Sequence, residues 1–500
     1  MEPKNKSLQH FILLISILFM ACQNNTNPGK DTDYTPMDTA TLSRIYSQYR
    51  EPTLDKRRIT HEQISSLIEN LGQTPLFTVK TLGQSVEQRN IYQLNYGSGP
   101  VKVMLWSQMH GDESTATMAL FDLFNFLSAQ GDGYDSIRNL LKQETTLMFI
   151  PMVNPDGAQR FMRRNSMDID INRDARATTT PEGAILRRAA EKEKPQYGFN
   201  LHDQSRYYTA GRSAKSAAIS FLAPAYNYER DVNEVRGKAM QLIAGMNRLL
   251  QQCIPGHVAR YDDAHEPRGF GDNFTKWGAS TILIESGGYP GDPEKQHLRK
   301  MNFMIILNAL VDIARQNFTD LPVEEYDSIP ENRFKLHELM LRQVRFHNDT
   351  LDYTLDVGIK RAEANLAGGN FYVRGYVDDI GDLQESFGYR ELDASGLEYR
   401  EGKLYPTAFD SPGAISREKA YTLLKQGYFA VKVHNLPEDR RYDLPLVILR
   451  NNSLPAGTLA IGSPANFFLS EGDQYRYAIV NGYLVDLNTQ EDAHYLNYIR

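Results

Sequence analysis

Apolar runs that end abruptly in ionisable residues organise the first three hundred positions of this chain. Val101-Lys102-Val103-Met104-Leu105-Trp106 reads as a buried strand and leads into His110-Gly111-Asp112-Glu113. From Ser114 to Leu127, Ala116, Leu120, Leu123, Phe124 and Leu127 recur at helical spacing, so the pattern predicts strand, turn, helix. Leu147 to Val153 is a second apolar run. It leaves through Asn154-Pro155-Asp156-Gly157, which on its own composition is a turn. A shorter apolar step reaches Asn200-Leu201-His202-Asp203-Gln204, and the β-branched run Thr281-Ile282-Leu283-Ile284 delivers Glu285 into Ser286-Gly287-Gly288. A carboxylate closing an apolar strand is costly unless it is paired or working.

From about Asn317 the texture changes. Thr319 to Arg333 is rich in Pro and acidic residues and reads as a linker, followed by a predicted helix over Phe334 to Arg345. Short strand-like runs then alternate with Gly, Pro and Asn turns: 371–373, 428–433, 446–449 and 477–480. This predicts a β-rich C-terminal domain with no clustered His, Asp and Glu set of its own.

The candidate chemistry lies at the ends of the apolar runs. His110 and Glu113 at a strand-to-helix junction can converge on one ion, Gly111 allowing the tight turn between them. An isolated pair of this spacing is commonly a surface turn, and Glu113 alone would suit the first turn of a helix. Downstream, Arg163-Arg164-Asn165 and Asp170-Ile171-Asn172-Arg173-Asp174 supply fixed positive charge and planar donors of the kind a carboxylate or oxyanion needs.

In this order the blocks resemble the zinc metallocarboxypeptidases, the relatives of carboxypeptidase A, over about residues 45 to 315. The resemblance implies His110, Glu113 and His202 as ligands of one zinc ion and Glu285 as general base. It implies Arg163 as the oxyanion arginine, Asn172 and Arg173 as the grip on a terminal carboxylate, and Asp170 as the acid orienting His110. Three protein ligands leave one position for water, the pattern of catalytic zinc. The implied reaction is removal of C-terminal residues from peptides. Two features depart from the digestive enzymes: a shorter gap from Glu113 to His202, and Asp203-Gln204 after the third ligand. A substrate-capping tyrosine is unassigned among Tyr207, Tyr208 and Tyr289, and the preference-setting side chain is expected near Arg268 to Asn273.

Competing readings are specific. His265 is the rival third ligand, whereas His61, His337 and His434 sit in polar sequence and read as surface residues. Asp112, Asp174 and Asp203 read as caps or solvated acids, and Arg164 as an ion-pair neighbour. The same metal set could serve an amidase or deacylase acting on murein peptides or acyl-amino acids. A noncatalytic surface binding protein on the same scaffold is the remaining alternative.

Composition narrows the setting. With 500 residues, 41% hydrophobic and 23% charged, the chain can bury two or three cores. A net charge of −7 without basic runs argues against nucleic acid as a partner, and two cysteines cannot build a disulfide framework. Lys4 and Lys6 precede the apolar stretch Phe11 to Met20 and then Ala21-Cys22, the layout of a signal peptide. It resembles a bacterial lipoprotein signal in which Cys22 becomes the lipidated first residue, although Phe19 stands where Leu is usual. The resulting expectation is an α/β protein with a mixed sheet flanked by helices and a C-terminal β-rich domain. Its divisions are a signal at 1–22, a tether at 23–40, a catalytic domain at 41–316, a linker at 317–333 and the β-rich domain at 334–500. The expected location is the bacterial envelope, held to the membrane by a lipid anchor.

Overall fold

The computed structural model describes residues 34–347, 350–450, 459–489 and 493–500. Cys22 and the signal segment lie outside the described residues. The N-terminal part is built on β1 (Thr78–Gln84), β2 (Asn90–Tyr96), β3 (Val101–Ser107), β4 (Thr145–Ile150), β5 (Tyr197–Asp203), β6 (Thr209–Ala210), β7 (Ile219–Leu222), β8 (Val258–Arg260) and β9 (Ser280–Ser286). All but β6 form one mixed sheet in the order β1-β2-β4-β3-β5-β9-β7-β8, with β4, β3, β5 and β9 parallel.

Both faces of that sheet are covered, which is why its central strands are apolar throughout instead of alternating. Val103, Leu105, Phe149, Phe199 and Ile284 face helices Thr115–Ser128, Glu234–Cys253 and Gln296–Arg315. Met104, Trp106, Met148 and Ile150 face helices Pro181–Glu193 and Phe270–Lys276. The carboxyl ends of parallel strands are where such sheets present ligands. Here β5 and β9 pair with His202 opposite Glu285, and β3 ends three residues before His110.

Order begins earlier than the expected tether allows. Tyr34 is buried with its hydroxyl donating to Asp312, and helix Thr39–Tyr49 follows, so the last residues assigned to the tether are anchored at Tyr34 and enter a helix. Further on, Phe318, Leu321, Tyr326 and Ile329 pack into the main core, and β10 (Asn332–Arg333) pairs with β6.

The predicted helix over Phe334 to Arg345 is a strand. β11 (Leu336–His347) pairs with β12 (Asp352–Asn365) on one edge and with Phe387–Asp393 and Glu398–Arg400 on the other. The apolar positions mimic helical spacing because the register shifts between Leu341 and Val344, where Gln343 adopts φ 58°, so the faces change partway along. β12 continues to β13 (Phe371–Gly381), and Glu398–Arg400 leads through Phe467–Glu471 to the hairpin Gln474–Val480 and Tyr483–Asp486. This confirms the β-rich C-terminal region.

Candidate functional site

The His110 turn owes its shape to crowding. A Cβ on Gly111 would lie 2.0 Å from the Gly157 carbonyl carbon, so the requirement for glycine is close approach of two backbones, not a special φ. The Asn154 segment is not a simple turn. It starts helix Pro155–Arg160, with Asn154 accepting from Gly157 N at 2.9 Å and Pro155 in the first turn. Asn154 Nδ2 and Gly111 N both donate to the Arg163 carbonyl, so this cap also sets the backbone from which Arg163 projects.

Three chain-distant groups then converge. Glu113 Oε1 lies 2.8 Å from His110 Nδ1, and Oε2 lies 2.7 Å from His202 Nδ1. One ligand atom from each residue falls within 4.8 Å of the others, with exposures of 2%, 7% and 2% for His110, Glu113 and His202. His110 Nε2 is 3.0 Å from Asp170 Oδ1, a contact that places the proton on Nε2 and leaves the Nδ1 lone pair for an ion. Two imidazole Nδ1 atoms and a carboxylate facing one point form a donor set suited to zinc. His265 takes no part: its Nδ1 faces Asp272 and the Ala225 carbonyl.

The electrostatics follow from this crowding. Burial opposes the charge on Glu113, but His110 and His202 outweigh it and hold the carboxyl well below the usual range. Burial likewise opposes charge on Asp170, and the His110 and Arg163 contacts hold it low. His110 is pushed up to about 9: burial disfavours its cation, but Glu113 and Asp170 prevail. Burial moves His202 the other way. Glu285, half-buried near Glu113, is pushed well above the carboxylate range, first by desolvation and then by that neighbouring charge.

The remaining expected residues surround the same centre. Arg163 Nη1 lies 3.2 Å from Glu113 Oε1, and Nη2 lies 3.0 Å from Asp170 Oδ2. Asn172 Oδ1 accepts from Phe270 N, and its Nδ2 approaches His202 Nε2 at 3.4 Å. Arg173 Nε lies 3.0 Å from Glu266 Oε2, and its Nη1 donates to the Asn172 carbonyl. His110, Glu113, Arg163, Asn172, Arg173 and Glu285 all line one cavity of about 350 Å³.

Of the three tyrosine candidates only Tyr208 reaches this cavity, and Tyr261 was not legible beforehand. Tyr208 and Tyr261 line this cavity, whereas Tyr207 is locked by hydrogen bonds to the backbone of Arg361, and Tyr289 is packed between His257 and His297. Tyr261 follows the short strand β8, and nothing in its local sequence separates it from an ordinary strand exit. Gly269, Gly271 and Asp272 supply the cavity wall expected near Arg268 to Asn273. Asp203 is buried against Lys295 and Thr115 rather than solvated. Asp112 is pushed up to about 6 by burial and by Glu113. Asp174 accepts from the backbone N and the hydroxyl of Thr180, the residue that itself caps helix Pro181–Glu193. His337 is buried against Asp378 and His61 is half-buried on Tyr92, so neither is the surface residue its polar sequence suggests.

Residues 64–221 match the family model described as zinc carboxypeptidase. Over that stretch the chain is similar to the zinc carboxypeptidases. The matched stretch contains all three candidate ligands and ends before Glu285. An uncharacterized protein of Zymomonas mobilis is 28% identical over 125 residues, covering 24% of this chain and 32% of that protein, so the match spans about a third of that relative. Among solved structures, a metallo-carboxypeptidase from Burkholderia cenocepacia is similar at 18% identity and TM-score 0.42, covering 51% of this chain and 69% of that one. Bovine thrombin-activatable fibrinolysis inhibitor, solved with a tick carboxypeptidase inhibitor, is similar at 13% identity and TM-score 0.42, covering 55% and 99%.

Proposed function

We propose that this protein is a one-zinc carboxypeptidase that removes C-terminal residues from peptides. The observation that carries the reading is the convergence of His110, Glu113 and His202 at a cavity that His110, Glu113, Glu285, Arg163 and Arg173 line. His110, Glu113 and His202 would hold the zinc ion, which when bound would polarise the scissile carbonyl and acidify water.

The chain's own groups do the rest. Glu285 takes the proton of the attacking water and later passes it to the leaving amine; desolvation and the nearby Glu113 favour holding a proton in transit. Arg163 presents fixed positive charge where the attacked carbonyl oxygen gains negative charge. Asp170 keeps His110 in the tautomer that frees Nδ1. Arg173, backed by Asn172, receives the α-carboxylate by charge-assisted hydrogen bonds, which limits cleavage to the chain terminus.

The test is zinc analysis of purified protein together with hydrolysis of peptides bearing free or amidated C-termini. Zinc near one equivalent and cleavage restricted to free termini support the reading. Equal cleavage of both shifts it to the amidase alternative, and zinc without any hydrolysis shifts it to a binding protein.

For location, we propose that Cys22 is the lipidated first residue of an envelope protein. The support is its place after the Phe11 to Met20 run, ahead of a polar stretch. Acyl chains should hold the protein in the membrane fraction of a bacterial host. If Cys22→Ser fractionates like the parent and mass spectrometry finds no acyl group, plain secretion replaces this reading.

A further inference from the structure

A second cavity of about 660 Å³ also reaches Glu113, and the C-terminal β region builds one wall of it. Its lining shares Glu113, Arg163, Asp203, Gln204 and Ser205 with the cavity that holds Arg173, so the two are continuous at the reaction centre. If Arg173 receives the substrate's terminal carboxylate, the chain on the amino side of the scissile bond leaves through this second cavity.

The far wall comes from Arg361, Ala362, Glu363, Phe371, Val373, Tyr483 and Leu496, which lie well beyond the stretch that matches the zinc carboxypeptidase family. That wall is held rigidly to the catalytic part at two places. Arg57 and Arg58 both pair with Glu363, and the Arg58 guanidinium lies 4.0 Å and 4.2 Å from the ring centres of Phe161 and Phe371. On the opposite side the Tyr207 hydroxyl bonds to both backbone groups of Arg361, whose guanidinium pairs with Glu338 and stacks over Tyr483. A wall fixed in this way is preorganised for a ligand rather than closing on one.

Its chemistry excludes a polyanion. The cations of the wall already have carboxylate partners: Arg57 with Glu363, Arg361 with Glu338 and Lys295 with Asp203. What remains is the apolar surface of Phe371, Tyr483 and Leu496, the last at 46% exposure, beside the carboxylates Asp112, Asp292 and Glu294, which repel anions. A volume of this size encloses a ligand of several residues' bulk. We propose that the C-terminal β region forms a binding groove for oligopeptides with apolar side chains on the amino side of the cleaved bond. The natural substrates are then longer peptides, not single acylated amino acids. This inference rests on the peptidase reading above.

A ladder of peptides with one C-terminal dipeptide, extended from two to five residues with Leu or with Ala, separates the possibilities. With the full-length zinc enzyme, kcat/KM should rise roughly tenfold along the Leu ladder and little along the Ala ladder. Leu496→Lys, on an exposed side chain, should flatten the Leu ladder to about threefold or less, with the melting temperature checking that the fold is intact. Leu496→Ser should give an intermediate slope. A flat ladder in the parent, or a slope that both variants keep, overturns the groove and leaves the peptidase reading standing. Failure to cleave any member overturns both.

Discussion

Arg173 decides whether this metal site serves an exopeptidase, and the structure sets the size of the effect. Its side chain is 38% exposed and its guanidinium is already engaged by Glu266 at 3.0 Å, so a substrate carboxylate must displace that partner. A buried unpaired charge would cost more, and a fully exposed pair less. For this half-exposed, exchanged contact the net loss in Arg173→Ala should be roughly 1.5–3 kcal/mol, in the range of hydrogen bonds to charged groups. At about 1.4 kcal/mol per decade this is about ten- to a hundredfold in kcat/KM. Because the terminal carboxylate sits away from the reacting bond, the change should fall mainly on KM. Glu266→Gln removes the competitor and should lower KM in the parent background. The assay is steady-state hydrolysis of matched free and amidated peptides by parent and variant. Amidation should cost the parent about as much as the mutation does, and should cost the variant little more. A parent that cleaves both peptides equally well refutes the assignment of Arg173 to the carboxylate.

Other expectations follow from the same contacts. His202→Ala should lose zinc by elemental analysis, whereas Glu285→Gln should retain it and lose turnover; near-stoichiometric zinc in the His202 variant would place the third ligand elsewhere. His110 in the metal-free protein is raised from 6.5 to about 9, so its proton stabilises that fold below pH 6.5, a contribution lost as the pH climbs through about 9. The same proton must leave before Nδ1 can bind, so zinc affinity measured by chelator competition should rise between pH 6.5 and 8.5; a flat profile contradicts the assignment. Asp122 and Arg299 form a fully buried pair that also holds the Glu51 and Leu54 carbonyls. Asp122→Asn strands the Arg299 charge and should cost about 3–5 kcal/mol, roughly 3–5 °C in melting temperature for a unit of this size, where a shift under about 1 °C would show the charge is satisfied without it.

Local sequence determined the elements that deliver the site. Buried parallel strands need continuous apolar residues, so 101–106, 147–150 and 281–284 announced themselves, and the ionisable groups at their ends stood out by contrast. The β-rich character of the C-terminal region was legible for the same reason. The helix expected over 334–345 was misread because a register shift inside β11 breaks the two-residue period that identifies a strand. Tertiary structure alone decided the rest. Tyr261 enters the cavity from the end of β8, and Arg361 and Leu496 reach the cleft from more than seventy residues beyond Glu285. His337 is buried only because β12 and β13 bring Lys360 and Asp378 against its strand. Periodicity reports which face of an element is covered. Which distant side chains meet there depends on strand order and on how the two parts pack, and neither is written in any local pattern.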